Sequence, residues 1–286
     1  ALCARSGNRA LRASLRSRWG RLVDLGITGK RALILGASKG LGFACAKALS
    51  SEGVDVVLSS SSLDRAQAAA ASIADETGGK VLGLVGDVSV ADNMNTLHAQ
   101  TKEALGGPID ILLNNHGGPA IGPALELDEA ELIDEFNKMV VSIIRLTDLC
   151  VKEMIAQKWG RIMTVGSAGL VQPNQNMVLS NTLRIATAYY MKSLATEVIK
   201  DGVTVNMVSP SQILTDRTRT GAVARAARVG ISAEEYIAKQ EAALPSGHFG
   251  DVEDFGALVA FLSSRFGGYC TGSNWRVDGG LLKSMV

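Results

Sequence analysis

The stretch that decides the fold is an apolar run, Arg31-Ala32-Leu33-Ile34-Leu35, followed directly by Gly36-Ala37-Ser38-Lys39-Gly40-Leu41-Gly42. The run has the length and composition of a buried strand, and Phe43–Leu49 after the glycines has those of a helix. Glycines let a backbone approach a ligand closely, and a helix N-terminus presents N–H groups that attract anions. The stretch therefore predicts a strand, a turn and a helix that together bind a pyrophosphate.

Strand-like and helix-like segments alternate along the rest of the chain. Further strands are predicted at Val54–Leu58, Val81–Val85, Ile109–Leu113, Arg161–Val165, Val203–Val208 and Ser273–Val277. Helices are predicted at 63–76, 90–105, 128–157, 180–200 and 252–263, with a helical excursion at 216–244. The alternation predicts an α/β fold, a Rossmann-type doubly wound parallel sheet. Because no long linker rich in Pro, Gly or Ser interrupts it, we expect a single domain over residues 23–286.

Composition excludes several classes of function. The net charge of +1 gives no strong attraction to nucleic acid or to an anionic membrane surface. No apolar run is long enough to span a bilayer. The four cysteines are widely scattered without histidine partners, so we expect no metal site and a reducing, cytoplasmic location.

Residues 1–22 differ from everything that follows. They contain no acid but several arginines: Arg5, Arg9, Arg12, Arg16, Arg18 and Arg21. Such a composition is typical of an organelle transit peptide. The alternative, which we favour, is a basic extension upstream of the domain. In either case we expect a flexible arm or a surface helix.

Further motifs follow the predicted strands in order. Asp87 ends the third strand in Gly86-Asp87-Val88, and Asn114-Asn115-His116-Gly117 ends the fourth. With the glycine turn, these motifs resemble the short-chain dehydrogenase/reductase family, and the resemblance runs from about Gly29 to Gly280. It implies an NAD(P) site at the carboxyl ends of the strands. The cofactor-binding residues it implies are Gly36, Ser38, Lys39, Gly40, Leu41, Gly42, Ser60, Ser61, Asp87, Val88, Asn114, Gly117, Arg184, Pro210, Ile213 and Thr215.

Two features favour NADP(H) over NAD(H). Relatives that prefer NAD usually have an acid at the end of the second strand, where this chain has Ser59-Ser60-Ser61-Ser62. A carboxylate would repel a 2′-phosphate, whereas hydroxyl groups can donate hydrogen bonds to it. Lys39 lies where NADP-dependent relatives carry a basic residue. The serine run is also compatible with an ordinary polar turn.

The catalytic positions depart from the family pattern. Relatives carry a serine, then a tyrosine thirteen positions later, then a lysine four positions after that. Ser167 matches the serine, but Ser180 and Arg184 stand at the tyrosine and lysine positions, and Met139 stands at the position of an active-site asparagine. A serine hydroxyl is less acidic than a phenol, and a guanidinium cannot relay a proton because it stays charged.

The proton transfer requires a group other than a tyrosine at position 180. Tyr189 and Tyr190 lie roughly 14–15 Å further along the helix, which is too far. His116 stands beside the expected nicotinamide site and has an unperturbed pKa near 6.5, although it can equally be a structural imidazole bonded to backbone. Water held by Ser167, Ser180 and Arg184 is a third route.

The resemblance implies an oxidoreductase that acts on a carbonyl/alcohol pair, most similar in pattern to 3-oxoacyl-carrier-protein reductases. Its catalytic residues would be Ser167, Ser180, Arg184 and His116, and its substrate a small molecule. The altered positions leave open a non-catalytic nucleotide-binding or scaffold protein, or an enzyme of redirected chemistry. Relatives assemble as homotetramers or homodimers. They also place a helical lid at 216–244, where the arginines either meet an acidic substrate or are solvated: Arg217, Arg219, Arg225 and Arg228.

Overall fold

The computed structural model describes residues 23–90 and 92–284, so the predicted basic extension lies outside the described residues. Within them, seven parallel strands form one sheet in the order β3-β2-β1-β4-β5-β6-β7. The strands are β1 Arg31–Ile34, β2 Asp55–Ser60, β3 Val81–Val85, β4 Ile111–Asn114, β5 Gly160–Val165, β6 Val203–Pro210 and β7 Asn274–Val277. This topology confirms the predicted Rossmann-type doubly wound sheet.

Helices connect the strands and cover both faces of the sheet. They are α1 Gly40–Ser51, α2 Leu63–Thr77, α3 Asn93–Leu105, α4 Glu129–Phe136, α5 Ser142–Gln157, α6 Val178–Val198, α7 Asp216–Val229, α8 Ala233–Ala243 and α9 Val252–Ser263. None of those in the described ranges is long and apolar enough to cross a membrane. The bounds predicted for β3 and α9 are confirmed.

Each face of the sheet has its own hydrophobic core. On one face, Cys45 of α1, Ile73 of α2 and Phe255 of α9 are fully buried against the strands. On the other, Met94 of α3 and Met191 of α6 are buried in the same way with side chains of α5. β4 and β5 are buried along their whole length, as strands covered on both faces are, and Arg161 and Thr164 of β5 are buried with their apolar neighbours.

Two predicted helical stretches are divided in the structure. The stretch predicted over 128–157 begins after Asp128, whose side chain accepts a hydrogen bond from Glu131 N, and a π-helical segment, Asn137–Val141, separates α4 from α5. The excursion at 216–244 forms two helices, because Gly230 takes a left-handed conformation at the end of α7. Ser232 then caps the N-terminus of α8.

The strand order positions the functional site. β1 pairs with β2 on one side and with β4 on the other, so the connections after β1 and β4 leave the sheet in opposite directions. The residues that follow these two strands, Gly36 and Asn115, meet at this point, where Asn115 Nδ2 donates a 2.9 Å hydrogen bond to Gly36 O. In open α/β sheets the ligand crevice lies at this reversal of strand order.

Candidate active site

Two adjoining cavities form one cleft at the carboxyl ends of the strands. One, of about 580 Å³, extends over β2 and β3, and the other, of about 340 Å³, extends towards α6 and α7. Their shared lining lies between them: Gly36, Lys39, Asn115, His116 and Gly117. We call the first the nucleotide cavity and the second the substrate cavity.

The glycine turn is packed closely against its own backbone and against Asn115. A β-carbon at position 42 would lie 2.6 Å from Gly36 O, and one at position 36 would lie 2.7 Å from Asn115 O, so both positions require glycine. α1 begins after Lys39 without any side-chain hydrogen bond at its cap. The first N–H groups of this helix therefore remain available to an anion, as a pyrophosphate requires.

The nucleotide cavity has the polar groups that an adenosine half would need. Asp87 Oδ1 accepts hydrogen bonds from the backbone and hydroxyl of Ser89, at 2.9 and 2.7 Å, which orients the carboxylate. Ser60 and Ser61 line the cavity as predicted, and so does Arg65, which the sequence analysis did not identify. Arg65 Nη2 donates a 3.0 Å hydrogen bond to Ser61 Oγ. The four-residue spacing of Ser61 and Arg65 at the start of a helix was the signal that could have revealed it.

Most of the predicted cofactor residues line the cleft, but three do not. Gly42 packs inside the turn, Ile213 is buried beside the cleft, and Asn114 has no exposed surface. Asn114 Nδ2 instead donates to Thr147 Oγ1 and Thr164 Oγ1, at 3.0 and 3.2 Å, and so ties β4 to α5 and β5. The amide that lines the cleft is the next one, that of Asn115.

Ser167, Ser180 and Arg184 meet in the substrate cavity, as predicted. The Ser167 hydroxyl oxygen accepts a 3.1 Å hydrogen bond from Gly169 N, which leaves its O–H free to donate. Arg184 Nε donates to Ser180 Oγ at 3.2 Å, and Arg184 Nη1 donates to Val165 O at 2.7 Å. These two bonds fix the guanidinium between α6 and the end of β5.

The environment of Arg184 is unusually positive. Burial, and then the charge of Arg217, lower the pKa of Arg184 to about 10. The guanidinium still carries its charge at neutral pH, so it can stabilise an oxyanion but cannot donate a proton. In the described part of the chain, no three His, Cys, Asp or Glu side chains are grouped to hold a metal ion.

His116 lies in the cleft as a half-buried, neutral imidazole. Its Nδ1 lies 2.6 Å from Gly117 O, so Nδ1 carries the proton and Nε2 is an acceptor. Burial and the charge of Arg184 lower the pKa of His116 to about 3, with a smaller contribution from Arg217, against the opposing hydrogen bond to Gly117. At neutral pH this ring can accept a hydrogen bond, but a pKa this low makes it neither an imidazolium acid nor an effective base.

Asp216 supplies the one carboxyl group among the residues that line the substrate cavity, and Met139 is not among them. Met139 is buried in the π-helical segment, and its carbonyl oxygen accepts a 3.1 Å hydrogen bond from Thr187 Oγ1. Tyr189 and Tyr190 do not line the cavity. Tyr189 is 73% exposed, and burial raises the pKa of Tyr190.

The predicted lid contributes one arginine to the cleft. All four of its arginines are exposed, but Arg217, in the first turn of α7, also lines the substrate cavity, whereas Arg219, Arg225 and Arg228 line neither cavity. The sequence had left open whether these arginines meet a substrate or only solvent. The structure divides them, because residues two apart on a helix point in nearly opposite directions.

The sheet topology and the cleft define a Rossmann-type nucleotide-binding protein. The family model described as enoyl-(acyl carrier protein) reductase matches residues 36–282. The chain is 33% identical over 256 residues to 3-oxoacyl-[acyl-carrier-protein] reductase FabG of Haemophilus influenzae, a match that covers 90% of this chain and 99% of that protein. The chain belongs to the short-chain dehydrogenase/reductase family, and it is an NAD(P)-dependent oxidoreductase that acts on a carbonyl/alcohol pair.

Other relatives show how varied the substrates of similar chains are. D-beta-hydroxybutyrate dehydrogenase of Cupriavidus necator is 33% identical over 260 residues, covering 89% of this chain and 98% of that one. L-sorbose reductase of Gluconobacter frateurii, solved with NADPH and L-sorbose, matches with a TM-score of 0.87 and 31% identity. That match covers 92% of this chain and all of the reductase.

Proposed function

We propose that this chain is an NADP(H)-dependent reductase of small carbonyl compounds with an atypical site formed by Ser167, Ser180 and Arg184. The observation that carries the proposal is the convergence of these three side chains on one cavity that adjoins the phosphate-binding turn. When bound there, the nicotinamide would supply or accept the hydride. Residues of the chain would orient the substrate, stabilise the developing charge and transfer the proton.

We assign the three side chains separate tasks. The free O–H of Ser167 orients the substrate oxygen. Arg184 stabilises the negative charge that develops on that oxygen, since a fixed guanidinium in a partly desolvated site is an effective oxyanion partner. Ser180, bonded to Arg184, passes a proton from water to the oxygen. His116 Nε2 can accept a hydrogen bond from a substrate hydroxyl or from water in the cleft.

The preference for NADP(H) is supported by the charges around the nucleotide cavity. Lys39 and Arg65 are the two basic residues that line it, together with the hydroxyls of Ser60 and Ser61. A 2′-phosphate beside Ser61 would meet hydroxyl donors and one guanidinium, and charge-assisted hydrogen bonds to phosphate are the stronger kind. L-sorbose reductase, at 31% identity, was solved with NADPH. By family likeness we further propose a cytoplasmic homotetramer or homodimer.

Cofactor preference is tested by calorimetric titration of the purified protein with NADPH and with NADH. We expect NADPH to bind more tightly. Arg65→Gln should weaken NADPH about tenfold and NADH less than twofold, because only the 2′-phosphate loses its partner. Arg219→Gln, which removes an exposed charge outside both cavities, is the matched control. Equal binding of both nucleotides by the unaltered protein would refute the preference.

The atypical site is tested by restoring the usual residues of the family. NADPH oxidation at 340 nm is followed with a panel of carbonyl compounds, for the natural protein and for Ser180→Tyr combined with Arg184→Lys. If the natural protein is active and the double variant is not, the serine–arginine pair forms a working site. If only the double variant reduces carbonyls, the natural chain lacks this activity and the proposal fails.

A further inference from the structure

Two guanidinium groups face the substrate cavity without an anionic partner. Arg184 and Arg217 both line it, on α6 and α7 respectively. Among the ion pairs of the described residues, none involves either arginine. Lys138 and Lys152, by contrast, pair with acids three or four residues away. The charges of Arg184 and Arg217 are therefore available to a bound anion.

The two guanidinium groups are held differently. Arg184 donates to Val165 O and to Ser180 Oγ, and these bonds leave Nη2 for a ligand. Arg217 lies over the backbone of Gly118, where a β-carbon would come within 2.8 Å of both its Nη1 and Nη2 atoms. Any residue other than glycine at position 118 would displace this guanidinium. Arg184 is thus held by two hydrogen bonds, whereas the position of the Arg217 guanidinium requires glycine at position 118.

The other charged groups around the cavity do not neutralise the pair. Lys39 also lines it, at the glycine turn where the pyrophosphate would lie, and Asp216 is the single carboxylate among the lining residues. His116 is neutral at physiological pH. Three positive charges and one negative charge line the cavity, and the charge of Arg217 contributes to the lowered pKa of Arg184. Like charges at short range cost free energy that a bound anion would offset.

We propose that the substrate is a small oxo acid whose carboxylate binds Arg217 while its carbonyl oxygen faces Ser167, Ser180 and the remaining donor of Arg184. The proposal rests on the carbonyl chemistry of the proposed function and adds the substrate class. Planar guanidinium groups bind carboxylates through paired, charge-assisted hydrogen bonds, which gives both affinity and orientation. A cavity of about 340 Å³ suits a small acid. The competing source of the anion is a phosphate of the cofactor.

The test compares acids with their neutral methyl esters. The protein saturated with NADP⁺ is titrated with pyruvate, acetoacetate and levulinate, and with the methyl ester of each, so that the distance between carbonyl and carboxylate varies. We expect at least one acid to bind about tenfold more tightly than its ester. Arg217→Gln should reduce that ratio to less than about twofold, and Arg219→Gln, on the same helix, should leave it unchanged.

A second variant moves the Arg217 guanidinium without removing its charge. Gly118→Ala should lower the acid-to-ester ratio because its β-carbon displaces the Arg217 guanidinium. The thermal midpoint of each variant is measured to establish that it folds. Esters that bind as tightly as acids, an acid preference that survives Arg217→Gln, or no binding of any acid would each overturn the proposal.

Two further outcomes distinguish this proposal from binding of a cofactor phosphate and from the proposed reductase activity. If Arg217→Gln weakens NADPH binding and leaves the acid-to-ester ratio unchanged, the anion is a phosphate of the cofactor and the proposal is wrong. If acids bind in an Arg217-dependent way but NADPH is not oxidised, the carboxylate site stands and the proposed reductase activity alone fails. If esters are turned over in preference to acids, the proposed reductase activity stands and the carboxylate site fails.

Discussion

Arg184 Nε lies 3.2 Å from Ser180 Oγ, one turn away on α6, so a fixed positive charge stands beside a hydroxyl at the position where relatives carry their catalytic tyrosine. The bond from Arg184 Nη1 to Val165 O prevents the guanidinium from turning away from the cavity. In the proposed mechanism, this pair would preserve charge stabilisation without an acidic phenol. Proton delivery would then depend on the serine hydroxyl and water.

Arg184→Gln should lower kcat by about 10²–10³-fold with a smaller effect on KM, because stabilisation of the developing oxyanion is lost mainly in the transition state. The kcat of Arg184→Lys should lie between those of the unaltered protein and of Arg184→Gln. A lysine keeps the charge but lacks the planar guanidinium that bonds Ser180 and Val165 together. Steady-state kinetics at saturating NADPH provide the measurement. A kcat within threefold of the unaltered protein for the glutamine variant would contradict the assigned role.

Substitutions at Gly117 and Gly42 should separate cofactor binding from folding. A β-carbon at Gly117 meets no atom within 4 Å and would extend into the cleft, so Gly117→Val should fold normally yet bind NADPH at least tenfold more weakly. At Gly42 the β-carbon would lie 2.8 Å from Ala37 Cα, and Gly42→Ala should lower the thermal midpoint as well. Calorimetric titration and thermal unfolding of both variants test this contrast. Equal loss of stability in both would refute it.

His116 should make the free protein sensitive to mild acid. Because the pKa of His116 falls to about 3 on folding, the unfolded chain binds more protons between that value and about 6.5. Stability contributed by the neutral ring is complete above about pH 6.5 and declines as the pH falls towards 3. His116→Gln should therefore lose less stability than the unaltered protein between pH 7 and pH 4. Urea unfolding at several pH values measures this, with His248→Gln as the control, and identical pH dependence would contradict it.

Asp110 should be important for stability rather than for catalysis. It is 2% exposed and accepts hydrogen bonds from Arg31 N and Arg31 Nε, both at 2.9 Å. Asp110→Ala should lower the free energy of unfolding by about 3 kcal/mol, because it leaves a partly buried guanidinium without its partner. Asp148→Ala, which breaks an exposed pair with Lys152, should cost less than about 0.5 kcal/mol. Urea denaturation measures the free energy of unfolding of both variants. Similar losses for the two would contradict a special contribution of the buried Asp110.

Most of the predicted site residues line the cleft, whereas Arg65 and Asn115 line it without having been predicted. The glycine turn is encoded locally, because its glycines and the flanking strand and helix are contiguous. Asn114 and Asn115 are two adjacent amides at the end of a strand, and only one of them can face the cleft. The sequence did not distinguish them, and Asn114 was placed at the cofactor although it is fully buried.

The sequence by itself determined the doubly wound sheet and the strand, glycine turn and helix at its first crossover. These features depend on apolar periodicity and on glycine, both of which are local. Only the tertiary structure decided that Arg65 lines the nucleotide cavity and that Arg217 of α7 lines the same cavity as Arg184 of α6. Such encounters depend on how helices pack around the cleft, and local sequence pattern carries no information about the neighbours that packing brings together.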